Sequence, residues 1–502
     1  MAVTSQVTTI NDLEGSPTFS SIGGGAGATA NTDVFIQGSQ SGGRRSDNVT
    51  DHGFWLDDGG SNDISATGTH VGFWVWQTHY AALTAFSVRI GTTTSDYKAW
   101  TYPLADWPAL GGWLRIWVDV SAGTGAGSGL TTTQARYFAI VNSIGDVAGN
   151  ASNLILDAVH NTTGGLLWTG STGSFADFVS YDTTNRVGVV TSANGVIVVL
   201  ARLTIGSATA TTFTASGFAL LFPDQPLISS TFAGLTWDLQ NASTVVTLTN
   251  GSIVSADPTG NRGDFVVTGT SGSLDWTGGV LTGARVVTLT SGVTLDACKI
   301  GSCGLIDTGG ATITGCSISG STATSALKVD STTEMAAVTD CSFTSGGTGH
   351  AIELTVAGTY TFDGITFSGY SGTSTNAAVF VNVASGSVTL NIVGGDTPSV
   401  RTAGASVTIN NAVNLSFGGI VSGSRLYIEA AATVGSVTSG DELYNEVVNT
   451  DPWTSSFNFE GSLAVIWRVR KASSAPYYAP AGGTATITSA GLSVNVQQIL
   501  DQ

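Results

Sequence analysis

Leu295-Asp-Ala-Cys-Lys-Ile300, Ile313-Thr-Gly-Cys-Ser-Ile318 and Val338-Thr-Asp-Cys-Ser-Phe343 can be laid over one another position by position. Each reads apolar, polar, turn, turn, polar, apolar. The same pattern recurs at Leu248-Thr-Asn-Gly-Ser-Ile253 and Phe362-Asp-Gly-Ile-Thr-Phe367, with weaker copies beginning at Leu274 and Leu390. Successive starts lie 18 to 28 residues apart. Repeats of that length, built from short strands with no helical periodicity, predict a right-handed parallel β-helix with one copy per coil. A leucine-rich repeat has the same length but needs a Leu frame, and Leu is too sparse here.

Stacked coils bring equivalent positions together. Cys298, Cys316 and Cys341 are therefore expected to form an internal ladder that Ile365 continues, a use suited to small apolar side chains. Their spacings match no zinc finger or ribbon, and four cysteines confined to 298–341 do not make a secreted disulfide framework.

Composition agrees with strands throughout. Gly supplies 66 of 502 residues and charged residues only 10%, against roughly 25% in an average domain. Lys occurs only at 98, 299, 328 and 471, so the usual helix vocabulary is thin. Disorder is excluded by 42% hydrophobic residues with 12 Trp and 20 Phe. The net charge of −18 is spread along the chain without a basic patch, which argues against nucleic acid and against an anionic membrane surface. No apolar run reaches membrane-spanning length, so no membrane insertion is expected. The first ten residues lack the charged start and apolar core of a secretory signal.

Residues 1–165 have a different texture. Eight Trp (55, 74, 76, 100, 107, 113, 117, 168) fall in the first third, among alternating runs at 71–77, 85–90, 112–120, 136–141 and 153–159. Period-2 alternation separated by Gly/Ser/Thr turns predicts an antiparallel, jelly-roll-like β-sandwich. In the run 113–120, Leu114, Ile116, Val118 and Val120 face the core, while Trp113, Arg115, Trp117 and Asp119 share the other face. Trp74 and Trp76 also share a face and are expected in the core. The β-helix then spans 166–440, with regular coils from about 187. Residues 441–502 regain Pro, Trp and charge, and predict a small β cap ending in a hairpin of 484–488 with 492–499.

This order of modules resembles bacteriophage tailspike, tail-fibre and head-fibre proteins, carried best by the 187–440 coils. The segment from Asp33-Val-Phe-Ile36 through Gly72-Phe-Trp-Val-Trp76 to Leu154-Ile-Leu-Asp-Ala-Val159 looks like carbohydrate-binding jelly-rolls. The resemblance implies a structural appendage of a virion, on head, collar or tail. It also implies a homotrimer held to other virion proteins, contacting host-surface polysaccharide or decorating the particle. A polysaccharide depolymerase on the same architecture is the alternative.

The residues themselves favour binding over catalysis. Sugar faces stack on aromatic rings while Arg and Asp bond hydroxyls, so Trp113, Arg115, Trp117 and Asp119 are the candidate glycan site, against a packing role for the same face. Asp296, Asp307, Asp330, Glu334, Asp340, Glu353 and Asp363 are the carboxylates available in the coils, and no cluster of them with Arg or His stands out as a glycosidase pair. The histidines (52, 70, 79, 160, 350) form no metal motif. The acidic loop Asp57–Asp63 lacks Ca²⁺-loop spacing and reads as a turn. Arg468, Arg470 and Lys471 read as a solvated edge or an inter-subunit ion pair. No cofactor or metal is expected.

Overall fold

The computed structural model describes residues 3–14, 18–22, 29–31, 41–46, 51–65, 70–77, 83–103, 113–144, 152–192, 194–207, 209–223, 234–256, 263–371, 375–434, 437–459, 461–471 and 473–501. His79 and Trp107 lie outside them. The chain forms two compact units, Met1–Thr294 with Cys298–Ile306, and Leu295–Ala297 with Asp307–Gln502. The protein is all-β in architecture, with an N-terminal β-sandwich and long stacks of parallel strands that make a β-helix.

In the first unit the sandwich pairs two antiparallel sheets. One has six strands, in the order Thr124–Ala126, Tyr97–Pro103, Leu83–Gly91, Ala135–Ile144, Asp51–Asn62 and Thr18–Ile22. The other sets Ser152–Trp168 beside His70–Gln77, which in turn pairs with Trp113–Asp119. Alternation decides what lies between them. Phe54, Leu56, Phe73, Val75, Val88, Ile90, Phe138 and Ile140 point inward with Leu114, Ile116, Val118 and Val120, and all are buried in one cluster.

The strand Ser152–Trp168 does not end with the sandwich. Its last residues, Leu166–Trp168, pair in parallel with Leu203–Ile205 of the first coil. A boundary at 165 is therefore replaced by a shared strand. From there three parallel stacks run through the unit. Arg202–Ile205, Gly234–Asp238 and Asp264–Thr268 form one; Thr212–Ser216, Val245–Thr249 and Ser273–Thr277 a second; Ala219–Phe222, Ser252–Ser255, Val280–Thr282 and Lys299–Gly301 the third. An aromatic ladder fills the centre. Trp168, Phe213, Trp237, Phe265 and Trp276 follow one another at ring-centroid separations of 5.2, 5.9, 6.2 and 5.9 Å.

One helix, Phe175–Asn185, departs from the strand-only reading of this region. Asp177 accepts the backbone N–H of Ser174 at 2.7 Å, an N-terminal cap, and Phe175 and Phe178 are buried. Phe175 sits 5.0 Å from Phe213 and 6.2 Å from Trp237, so the helix packs onto the ladder.

The second unit repeats the coil plan. Ser325–Val329, His350–Leu354, Val379–Val381 and Val400–Thr402 stack in one sheet. Thr312–Thr314, Val338–Thr339, Gly358–Asp363 and Ser387–Val393 stack in another. Ser317 pairs with Ser342 and Ser342 with Thr366, a register that aligns Cys316, Cys341 and Ile365. All three are buried, as is Cys298 in the first unit, and among the described residues no disulfide joins the cysteines. The Cys341 thiol is held below its ordinary pKa chiefly by a hydrogen bond with Cys316.

The turn joining two of these stacks carries a left-handed residue in coil after coil. In the first unit it is Gly217, Asn250 and Gly278, and in the second Ala297, Gly315, Asp340, Gly364 and Gly394, all at φ between 49° and 71°. That turn corrects two repeat frames. Leu248 aligns with Trp276, not Leu274, and Phe362 aligns with Ile392, not Leu390. A slip of two residues preserves inside-outside alternation, so polarity alone cannot detect it.

The cap also shares a strand with its coils. Ser406–Gly418 pairs in parallel with Ser387–Ile392 and then antiparallel with Trp453–Asn458. The cap sheet is Glu442–Val448, Ser424–Ala430, Leu463–Lys471 and Tyr478–Ile487, so it takes in residues that the sequence reading gave to the coils. Of the expected terminal hairpin only the tight turn is present, an antiparallel bridge between Thr488 and Gly491. Tyr478–Ile487 joins the cap sheet, whereas Leu492–Asn495 pairs in parallel with Leu415–Gly418.

Candidate functional site

Arg115 and Trp117 are fully buried, which corrects their reading as a glycan surface. The face they share looks onto the first coil. Arg115 donates from Nε to Val187 O and from Nη1 to Ala158 O, both at 3.0 Å, and its Nη2 lies 2.6 Å from His160 Nδ1. Its guanidinium packs 4.3 Å from the Trp117 ring and 5.4 Å from Trp74. Trp117 Nε1 donates to Leu200 O, and Trp74 Nε1 to Arg186 O. Trp74 is thus buried on the coil side of its sheet, opposite Phe73 and Val75. Trp113 is half-buried against Trp76, and Asp119 accepts the backbone N–H and hydroxyl of Ser121. This face joins sandwich to coil.

The accessible aromatic surface lies on the other sheet. Outward residues of the six-stranded sheet fall into rows across paired strands. One row runs Thr18, Asp57, Tyr137, Gly91, Tyr97; the next runs Ser20, Trp55, Ala139, Arg89, Ala99. Large side chains alternate with Gly91, Ala139 and Ala99, which leaves room for rings to lie over the small residues. Trp55 forms the floor, with Tyr97 at 5.4 Å and Tyr137 at 6.3 Å, both edge-on. Tyr97 and Tyr137 are half-buried and present the outer ring surface.

Charge is arranged around these rings. The Arg89 guanidinium lies 5.1 Å from the Tyr97 ring centre, and among the described residues no acid pairs with it. Arg136 holds Asp57 by two bonds, Nε to Oδ1 at 2.6 Å and Nη2 to Oδ2 at 2.8 Å. Those bonds keep the Asp57 carboxyl below its usual range and raise Arg136. The acidic run 57–62 belongs to the strand Asp51–Asn62 and is not the expected turn, and its Asp58 is spent on side-chain contacts within the sandwich, accepting from Asn11 and Asn62. Among the described residues no three His, Cys, Asp or Glu gather as a metal site needs.

The coil carboxylates serve mainly their own scaffold. Lys328 bridges Asp330 at 2.6 Å and Asp307 at 3.5 Å, and Thr355 donates to Asp330. Lys328 keeps the Asp330 carboxyl below its usual range. Glu334 accepts from the Asp330 backbone and Thr308, and Glu353 from Asn382. Asp340 is a left-handed turn residue, and Asp296 and Asp363 are exposed at the ends of their strands. In the cap, Arg468 and Arg470 are exposed on one face, whereas Lys471 is buried beside Tyr478.

Sequence reading passed over Arg89, Tyr97 and Tyr137. Alternation in 87–91, 97–101 and 135–141 marks each as outward, but only the register places them together.

No protein-family profile matches the chain, and no curated protein does. Among solved structures it is similar to a family 11 carbohydrate-binding module from Clostridium thermocellum in complex with a beta-1,3-1,4-mixed-linked tetrasaccharide. That match has 11% identity and a TM-score of 0.23, and covers 31% of this chain and 95% of that one. It is also similar to the catalytic domain of a GH87 alpha-1,3-glucanase in complex with tetrasaccharides, at 10% identity and a TM-score of 0.20, over 82% of this chain and 89% of that one. The likeness is loose, and the reading of this chain rests on its own geometry.

Proposed function

We propose that this chain is a non-catalytic glycan-binding protein, and that the outer face of the six-stranded sheet is where the saccharide sits. One observation carries the reading: Trp55, Tyr97 and Tyr137 form a ring-lined surface beside an Arg89 that no acid of the described residues neutralises. Sugar C–H faces stack on such rings, and guanidinium and carboxylate groups bond the hydroxyls that remain. The Asp57–Arg136 pair fixes the rim, so binding does not require those side chains to be ordered first. The resemblance in module order supports placing the protein on a phage virion as a trimeric fibre or spike, with host-surface polysaccharide as its target.

An array of bacterial surface polysaccharides, probed with the whole chain, tests this reading. The expected result is selective retention that Tyr97→Ala with Tyr137→Ala weakens at least tenfold. Retention of no polysaccharide, or equal retention by that variant, overturns it. Release of reducing ends from a retained polysaccharide would instead establish the depolymerase alternative.

A further inference from the structure

Within the second unit a cavity of about 450 Å³ opens beside the last coils, large enough for one or two sugar rings. We propose that it is a second saccharide site, selective for a neutral pyranose.

Its wall combines three aromatic rings with hydrogen-bonding groups of fixed polarity. Phe367 and Tyr370 stand at 90° with centroids 6.2 Å apart, and Phe459 faces the same space. Asp396 accepts the backbone N–H of Phe367 through Oδ2 at 2.9 Å, which orients the carboxylate and leaves Oδ1 as an acceptor. Ser399 Oγ already accepts the backbone N–H of Ala378, at 2.9 Å, so its own proton is available to donate. Thr397 Oγ1 likewise accepts from Asn411 Nδ2 at 2.6 Å and keeps its proton. Burial pushes the Tyr370 phenol up to about 12, so it stays a neutral donor at physiological pH.

The cavity therefore offers ring faces, three O–H donors and one carboxylate acceptor, with no Lys or Arg among the described residues of its lining. Each component narrows the ligand. Asp396, with no cation beside it among the described residues of the lining, repels carboxylated or sulfated sugars. A quaternary ammonium would suit rings and a carboxylate, yet it accepts no hydrogen bond and would leave the three donors unanswered. A neutral pyranose satisfies all of them, with oxygens that accept, hydroxyls that donate to Asp396, and an apolar face for the rings.

The inference stands independently of the sandwich reading, because the two sites lie in different units and share no residue. Saturation-transfer NMR of the whole chain tests it, using the methyl glycosides of glucose, galactose, mannose and N-acetylglucosamine. Choline chloride and methyl glucuronide serve as the cationic and anionic probes. At least one neutral glycoside should bind, and its signal should fall at least tenfold in Tyr370→Ala and in Asp396→Asn, while surviving Tyr97→Ala with Tyr137→Ala. Asp396→Asn retains an oxygen for Phe367 and is expected to melt with the wild type, which separates lost binding from lost fold. Binding of choline or glucuronide alone, no binding by any of the four glycosides, or a signal indifferent to both cavity variants would overturn the proposal.

Discussion

Replacing Arg115 by Met tests whether the buried joint between sandwich and first coil is held by this one side chain. Two effects oppose each other. Burial pulls the guanidinium pKa from 12.5 down to about 9, with Asp182 and Asp157 drawing it back. A shift of that size means the charge is held there at a cost of about 5 kcal/mol, which Met removes. Against this, Met abolishes hydrogen bonds to Val187 O, Ala158 O and His160, each worth about 2 kcal/mol for a charged donor, and two cation–π contacts of about 1 kcal/mol each. The losses exceed the gain by about 3 kcal/mol. Arg115→Lys should lose nearly as much, since an ammonium cannot reach three acceptors arranged for a planar fork. Hydrogen exchange at the Val187–Leu200 amides reads this locally, without requiring the whole chain to unfold in one step. Exchange should quicken roughly a hundredfold, because 1.4 kcal/mol is a factor of ten. A change below threefold in Arg115→Met would refute the argument that this contact anchors the coil.

Further outcomes follow from the same geometry. Burial lowers the His70 pKa from 6.5 to about 4, so the folded sandwich prefers it neutral. Its contribution is complete above pH 6.5 and is lost as the pH falls toward 4, on the order of 3 kcal/mol, and the buried His160 acts in the same direction. Urea unfolding followed from pH 7 to pH 4.5 should show that slope, reduced in His70→Gln; equal slopes would dismiss the histidine. Ala297 holds a left-handed conformation at φ 52° that Gly adopts without strain. Ala297→Gly should therefore raise the stability of its unit by about 0.5–1 kcal/mol, and a lowered melting temperature would contradict this. Light scattering should give three times the 50.9 kDa chain mass if the spike is a free-standing trimer, and a monomer of 50.9 kDa would remove that part of the proposal.

The fold was largely legible because its signals are local. Alternation marked the sandwich strands, and the repeated Cys position aligned the coils of the second unit before any register was known. What escaped was set by distant residues. Arg115 reads as surface on its own strand, and the residues that bury that face, Val187 and Leu200 among them, come some forty to eighty positions on. The frames at Leu274 and Leu390 slipped by two because both choices alternate correctly. The helix Phe175–Asn185 had a visible start in Ser174 and Asp177, but it is short and its apolar residues also suit a strand. The ring surface demanded register across four strands, which no single segment encodes.

The central claim is that the outer sheet face, not the buried Arg115 face, binds glycan. Calorimetric titration of the whole chain with an oligosaccharide from the polysaccharide that the array identifies decides it. Tyr97→Ala with Tyr137→Ala should weaken binding at least tenfold while Trp113→Ala leaves it within twofold. Unchanged affinity in the tyrosine variant, or loss in Trp113→Ala alone, would contradict the account.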